Sequence, residues 1–347
     1  MSKVSAVNGT HKGIPCVELR AGDYYAVIAY TMGSSVLRFR DEGKKMEIFR
    51  YKDNVSITEI MEAPEIWGLP TLYLPNRFDG GVLKTSDGEY HLPVNETRFK
   101  NHLHGFIQKR AHKLEDMGTA DGKAYAVTSY TYDESDFFYN VFPLKFKVTL
   151  RFELSEKEGL VHNFTIVNMS DKMLPVSVAT HTTINAPFVD GGNEEDIRIQ
   201  IPVEKKCLFD RSRWLPTEEF AGLNRRDLSY KRGVKCPVLK DICNDMYTAG
   251  TIDTAEGKFH GCFIKDMATG KQIRYETSDD KRFVYPGSNI VIRICRLFDC
   301  RAGWLLGLEG AESAPAPTMR IGDNSQVAIG NNITQTVNLP KKRKVAK

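Results

Sequence analysis

Apolar and polar residues alternate along much of this chain with a period of two. Leu144, Phe146, Val148, Leu150, Phe152 and Leu154 are interleaved with Lys145, Lys147, Thr149, Arg151 and Glu153. Side chains on a β-strand point to opposite faces in turn, so this segment predicts a strand with one buried and one wetted face. Ser155-Glu156-Lys157-Glu158-Gly159 turns the chain, and Leu160 to Asn168 is the expected hairpin partner, with His162 on the same side as Leu160, Phe164 and Ile166. Further strands are predicted at 24–30, 125–132, 175–183, 259–264, 272–276, 290–298 and 304–308, and the β-branched Ile290, Ile292 and Ile294 strengthen the sixth of these. Asp87-Gly88 and Thr269-Gly270 have the composition of hairpin turns. Helical signals are short: 57–66 and 133–142 each predict two turns, the second stopped by Pro143. Many strands, close-set turns and few helices predict an all-β protein, a sandwich or barrel. The 10–15-residue helices of parallel βαβ units are missing. No repeat or low-complexity linker divides the chain, so residues 1–339 are read as one β domain.

Composition narrows this picture. With 347 residues and 41% apolar content the chain can bury a large core. A net charge of +4, from 48 basic and 44 acidic residues, gives no field suited to nucleic acid or an anionic membrane. The seven cysteines (Cys16, Cys207, Cys236, Cys243, Cys262, Cys295 and Cys300) are odd in number and contain no CxxC pair, which argues against a disulfide framework or zinc ribbon and for reduced thiols. Met1 to Asn8 has no apolar leader core, and no apolar run approaches the ~18 residues of a membrane span. Pro340-Lys341-Lys342-Arg343-Lys344-Val345 is a compact basic run, identical to a short viral nuclear-import signal; as a solvated or appended tail, 340–347 is set apart from the fold.

Three places carry candidate chemistry: Asn101-His102-Leu103-His104-Gly105, Thr180-His181-Thr182-Thr183-Ile184-Asn185, and Gly307-Leu308-Glu309-Gly310. On a regular strand His102 and His104 would face the same way and, with His181, could hold a metal, although no carboxylate stands at a fixed short spacing to complete a shell. An imidazole titrates near neutrality and can shuttle protons, and a carboxylate ending an apolar run, as Glu309 does, is a candidate base; Glu312 is a nearby competitor. Taken alone, His181 reads first as a core histidine bonded to a neighbouring hydroxyl.

The set resembles the aldose 1-epimerase (galactose mutarotase) family. Asn76-Arg77-Phe78 with Gly80-Gly81 is similar to the family's Asn-Arg-Ile stretch, Asn101-His102-Leu103-His104-Gly105 to its Leu-His-Gly stretch, Thr180-His181-Thr182-Thr183-Ile184-Asn185 to its Asn-His-Ser-Tyr-Phe-Asn stretch, and Leu308-Glu309 with Ala314-Pro315-Ala316 to its Leu-Glu stretch before Pro-Asp-Ala. The motifs follow in the family's order across about 26–339. Phe106 stands where the family has a second glycine, and Thr180 where it has asparagine. The resemblance implies a galactose mutarotase-like supersandwich and exchange of α and β anomers of a hexose by ring opening. It implies Glu309 as base on the C1 hydroxyl, His181 as acid toward the ring oxygen, and His104, Arg77, Asn76 and Asp245 (in Asn244-Asp245-Met246-Tyr247) as sugar-binding residues. Phe283 or Tyr285 is a candidate flat wall for the sugar. It implies no cofactor or metal, a small sugar as partner, no nucleic acid or membrane, a monomer or homodimer, and a cytoplasmic location. Two other readings stay open on the same fold: a hexose-6-phosphate 1-epimerase, drawing on Arg50, Lys52, Lys109 and Arg110, and a non-catalytic carbohydrate-binding protein.

Overall fold

A computed structural model describes residues 4–85, 87–237, 245–277, 282–287, 291–297 and 330–331. Two large sheets face each other. One has eight strands in the order 113–120, 123–132, 146–155, 159–168, 330–331, 272–277, 261–266 and 197–200. The other has seven, in the order 215–221, 203–210, 247–249, 282–287, 291–297, 177–183 and 71–72. Within these two sheets, pairing among the described residues is antiparallel except at Gly330–Asn331, which runs parallel to Val161 on one side and to Glu276 and Thr277 on the other. The fold is thus an antiparallel β-sandwich, one of the two all-β architectures the alternation left open and the one the resemblance implied.

The Phe146–Ser155 and Gly159–Asn168 hairpin shows why alternation was so clear there. Phe146, Val148, Leu150, Phe152 and Leu154 are buried between the sheets, in one core with Phe164, Ile166, Val178 and Ile264. Fully burying an aliphatic or aromatic side chain of this size stabilises the fold by about 1.5–3 kcal/mol. Polar groups that enter this core meet partners across it. The Tyr275 hydroxyl lies between Thr180 Oγ1 (2.6 Å) and Thr182 Oγ1 (2.9 Å), and the Thr71 hydroxyl lies 3.4 Å from His162 Nε2.

A five-stranded antiparallel meander, Val4–His11, Ile14–Ala21, Tyr24–Ala29, Ser35–Asp41 and Met46–Glu47, adds Val17, Leu19, Ala26 and Phe39 to the same core. The sequence pattern had marked only its third strand. Val4–His11 carries a single glycine and mixed polarity on a half-wet sheet edge, so its alternation is weak.

Two expectations are corrected. The 133–142 segment forms successive turns, not a helix. Asp133 Oδ1 accepts from the Ser135 N–H and hydroxyl, and Asp136 Oδ1 accepts from the Phe138 N–H, so these amides serve side chains in place of a helical ladder. The 259–264 run is two strands: Gly257–Phe259 pairs with Ile252–Thr254, and Gly261–Asp266 enters the eight-stranded sheet. At Gly261 the chain passes the Tyr275 carbonyl so closely that a side chain would overlap it. The 57–66 region is a helix, Ile57–Glu62, and then a single 3-10 turn, Pro64–Ile66, started by a reciprocal Ser56–Glu59 capping box. A second helix, Arg225–Lys231, went unpredicted although Asn224 and Asp227 form a capping box of the same kind. Residues 304–308 and the 340–347 tail lie outside the described residues. Among the described residues no helix is long and apolar enough to cross a membrane.

Candidate active site

The site begins with the edge of the seven-stranded sheet. Ser177–Thr183 pairs on one side with Val291–Leu297 and on the other with Thr71–Leu72. Thr180 and Thr182 turn inward to Tyr275, so alternation sends His181 and Thr183 to the opposite face. The floor of that face near His181 is apolar: Ala179 packs with Leu72, Cys207 and Met246. The His181 amide is held by the Pro70 carbonyl at 3.0 Å.

His104 approaches from a separate two-stranded piece, Arg77–Asp79 paired with Asn101–Leu103. The strand stops before His104, which has φ +68°, followed by Gly105 at +61° and faced by Asn76 at +71°. Three residues in the left-handed region re-aim the chain and break the alternation that would have put His102 and His104 on one side. His102 therefore turns away. Its Nδ1 lies 2.7 Å from the Pro93 carbonyl and its ring packs on Phe78, and burial pushes its pKa below the ordinary imidazole value. The three-histidine metal reading loses its geometry for this reason. Among the described residues no group of three His, Cys, Asp or Glu side chains is placed to hold an ion.

His104 instead meets His181. The rings stand edge to face with centroids 5.5 Å apart, both largely buried, at 7% and 2% exposure. The His104 amide donates to the Asn76 carbonyl at 2.9 Å, and the Asn76 amide donates back to His104 Nδ1 at 3.2 Å. A backbone N–H can only donate, so Nδ1 is an acceptor and the neutral ring carries its proton on Nε2. Placing a second proton on Nδ1 would break that bond. His104 is thereby held as an Nε2–H donor beside His181.

Arg77 follows Asn76 at the start of the Arg77–Asp79 strand, where it pairs with Leu103, the neighbour of His104. Its Nε and Nη2 grip both oxygens of Glu96 at 2.7 and 2.6 Å, fixing the guanidinium and leaving Nη1 for another acceptor. Asp245 is buried and held by Lys206 at 2.6 Å and Arg211 at 3.0 Å, and Arg211 stacks on Trp214 with its carbon 4.7 Å from the ring centre. The structure brings His104, Asn76, Arg77 and His181 together through register and hydrogen bonds. It ties Asp245 to the neighbouring floor through Met246 and to two cations. Glu309 and Glu312 lie outside the described residues. Phe283 and Tyr285 fall on the Arg282–Gly287 strand, next but one to the His181 strand.

Of the four basic residues named for a phosphosugar, Arg110 forks onto Asp136, Lys109 pairs with Glu65 at 3.3 Å, and Lys52 is exposed. Arg50 stacks over Trp67, its guanidinium carbon 4.4 Å from the ring centre. Sequence reasoning missed Glu96 as the partner that orients Arg77, and missed Trp67 under Arg50. Neither had a motif to announce it, since each contact depends on pairing between distant segments.

Fold and site together describe a mutarotase-like sandwich. Over residues 15–285 the sequence matches the aldose 1-epimerase family, and the chain belongs to that family. It is similar to the crystal structure of a galactose mutarotase-like protein from Clostridium acetobutylicum, with 26% identity, a TM-score of 0.78, and coverage of 84% of this chain and 87% of that one. A galactose 1-epimerase from Lactobacillus acidophilus NCFM shares the fold at 16% identity and a TM-score of 0.58, covering 76% and 77% of the two chains. The uncharacterized protein YihR of Escherichia coli (strain K12) is 24% identical over 186 residues, 53% of this chain, and that match spans only 55% of the relative's length.

Proposed function

We propose that the protein is an aldose mutarotase that exchanges the α and β anomers of a hexose by acid–base ring opening. The observation that carries this reading is the edge-to-face pair of His104 and His181, with Asn76 fixing His104 as a neutral Nε2–H donor. Opening the ring requires the C1 hydroxyl to lose a proton while the ring oxygen gains one. Protonated His181 donates to the ring oxygen, and His104 Nε2–H orients that oxygen without competing for the charge. Glu309, assigned by its Leu-Glu motif, takes the C1 proton. Rotation about C1–C2 in the open aldehyde exposes the other carbonyl face, and the same groups exchange roles on closure. Each positioned acid or base contributes about 10²–10⁴-fold. Arg77, held by Glu96, supplies Nη1 to sugar hydroxyls. These side chains supply both proton transfers, so the reading calls on no cofactor. A cytoplasmic place beside other enzymes of sugar use follows from the same reading.

The optical rotation of freshly dissolved α-D-glucose and α-D-galactose tests it directly. The wild type is expected to hasten the decay, and Glu309→Gln is expected to lose about 10²-fold or more. No acceleration of either sugar, nor of an anionic hexose, would end the catalytic reading and leave a carbohydrate-binding role.

A further inference from the structure

The face that carries His181 is concave. Cys207 and Met246 share one apolar cluster with Leu72 and Ala179, although 203–210 is the second strand of the seven-stranded sheet, 177–183 the sixth and 71–72 the seventh. In a flat sheet the second and sixth strands would stand four spacings apart, roughly 19 Å. The sheet therefore curls over this face, and the 203–210 strand forms the wall across from His181. The turn after that strand, Arg211-Ser212-Arg213-Trp214, closes the wall onto the Arg77 strand. Arg213 pairs with Asp79, and its carbonyl accepts from the Asn101 side-chain amide at 2.7 Å.

Arg211 is fixed in this turn without being buried. Its Nη2 donates to Asp245 Oδ1 at 3.0 Å, its guanidinium carbon lies 4.7 Å from the Trp214 ring centre and 5.6 Å from that of Phe209, and its side chain is still 53% exposed. Among the described residues its Nε and Nη1 have no protein partner. Trp214 stacks in turn on Phe99, with centroids 5.6 Å apart. It does so at φ +54°, where glycine is held easily and a bulky residue is uncommon, so the indole adds something that the turn itself does not need. Asp245, by contrast, is 4% exposed. Its second oxygen takes the Lys206 ammonium at 2.6 Å, and Lys206 also lies 3.6 Å from buried Asp227, which the Tyr247 hydroxyl anchors at 2.7 Å. Two carboxylates and two cations balance in this cluster. Arg211 thus offers an ordered fork of N–H donors with little net field, which suits neutral hydroxyls.

We infer that Arg211 is a specificity-determining residue of the His181 face, binding the 3- and 4-hydroxyls of the sugar, and that Asp245 is a positioning residue that acts through it. The inference rests on the mutarotase reading and deepens it. In a pyranose, C3 and C4 lie across the ring from the ring oxygen and C1. A sugar whose reacting edge meets His181 and His104 therefore presents C3 and C4 to the opposite wall. A guanidinium held in one plane by Trp214 gives hydrogen bonds to two neighbouring hydroxyl oxygens, whose directions change between sugars epimeric at either carbon. Both Asp245 oxygens are taken by cations, so the part in sugar binding that its motif implies passes through the arginine.

Anomeric exchange of D-glucose, 3-deoxy-D-glucose and 4-deoxy-D-glucose, followed by NMR saturation transfer, tests this on the full chain. Arg211→Gln is expected to lower kcat/KM for glucose by about 10- to 100-fold, mostly through KM, the worth of a charge-assisted hydrogen bond. The loss is expected to be at least about threefold smaller for one or both deoxy sugars, because the missing hydroxyl has no bond to lose. A ratio between sugars taken within one variant does not depend on how much of that variant folds. Asp245→Asn is expected to show the same selective loss, and adding it to Arg211→Gln to cost little more, as for two residues that act through one contact. Equal losses on all three sugars, or an Arg211→Gln variant that keeps the wild-type KM for glucose, would overturn the inference and leave the mutarotase reading standing. Losses that add in full in the double variant would overturn the part assigned to Asp245. Exchange of none of the three sugars by the wild type would overturn both the inference and the mutarotase reading.

Discussion

His162 and His181 stand on facing sheets of the same sandwich and do opposite things. His162 points into the space between the sheets. Its ring stacks flat on Phe152 with centroids 4.6 Å apart, its Nε2 meets the Thr71 hydroxyl, and burial lowers its pKa to about 3. His181 points out of that space, toward His104 and an apolar floor. The residue type is the same and both are buried. The strand face decides which one lies in the core and which one meets His104 at the candidate site.

The sharpest way to break this comparison is to remove each ring in turn. His181→Asn is expected to lower the mutarotation rate by about 10²–10⁴-fold, because a positioned acid is lost. His162→Leu, close in volume and free of a buried polar nitrogen, is expected to keep the rate. Polarimetry on the two purified variants checks both, and equal losses would mean that His162 reaches the chemistry through the core.

A second test titrates the buried core histidines with acid. The folded pKa of His162 is about 3 and that of His112 about 4, against 6.5 for an ordinary imidazole, and in both cases burial is the larger cause. A base whose folded pKa is depressed binds its proton more readily in the unfolded chain. The stability it confers is therefore complete above pH 6.5. It is lost as pH falls through that value, down to about 4 for His112 and about 3 for His162. Each contributes a slope of about 1.4 kcal/mol per pH unit inside its window. Urea unfolding at pH 7, 6 and 5 should show stability falling with acid, and His162→Leu should flatten the fall by about one proton. An unchanged slope would place the proton uptake elsewhere.

How much of this was legible depended on local regularity. The 146–155 and 159–168 strands each have one face in the core and one in solvent, so their burial is written directly into their alternation. The His181 strand is buried at every position from Ser177 to Thr183, and its mixture of threonines and histidine does not say which face is which. Tyr275, bonded to Thr180 and Thr182, supplies that information from a strand far along the chain. The His104 segment was harder still, because residues at positive φ end the two-residue period where the chemistry begins. The motifs located Asn76, Arg77, His104 and His181 through resemblance. Glu96 behind Arg77, the Asn76 amide on His104, and Trp67 under Arg50 needed the folded pairing itself.

That lesson supplies the gentlest test, between two left-handed glycines. Gly270 has φ +71° in the turn joining the Gly261–Asp266 and Gln272–Thr277 strands, and a methyl group there would meet nothing within 4 Å. Gly105 has φ +61°, but a methyl group there would overlap the Tyr73 carbonyl and the Leu74 amide, backbone atoms that cannot swing aside. Gly270→Ala should therefore carry only the left-handed penalty of about 1–2 kcal/mol. Gly105→Ala should exceed it and should also slow mutarotation, because the backbone that relieves the overlap is the one that aims His104. Paired urea midpoints and rates decide the matter. If Gly105→Ala loses no more stability than Gly270→Ala and keeps its rate, then the tight crossing at Tyr73 is not what holds the two histidines together.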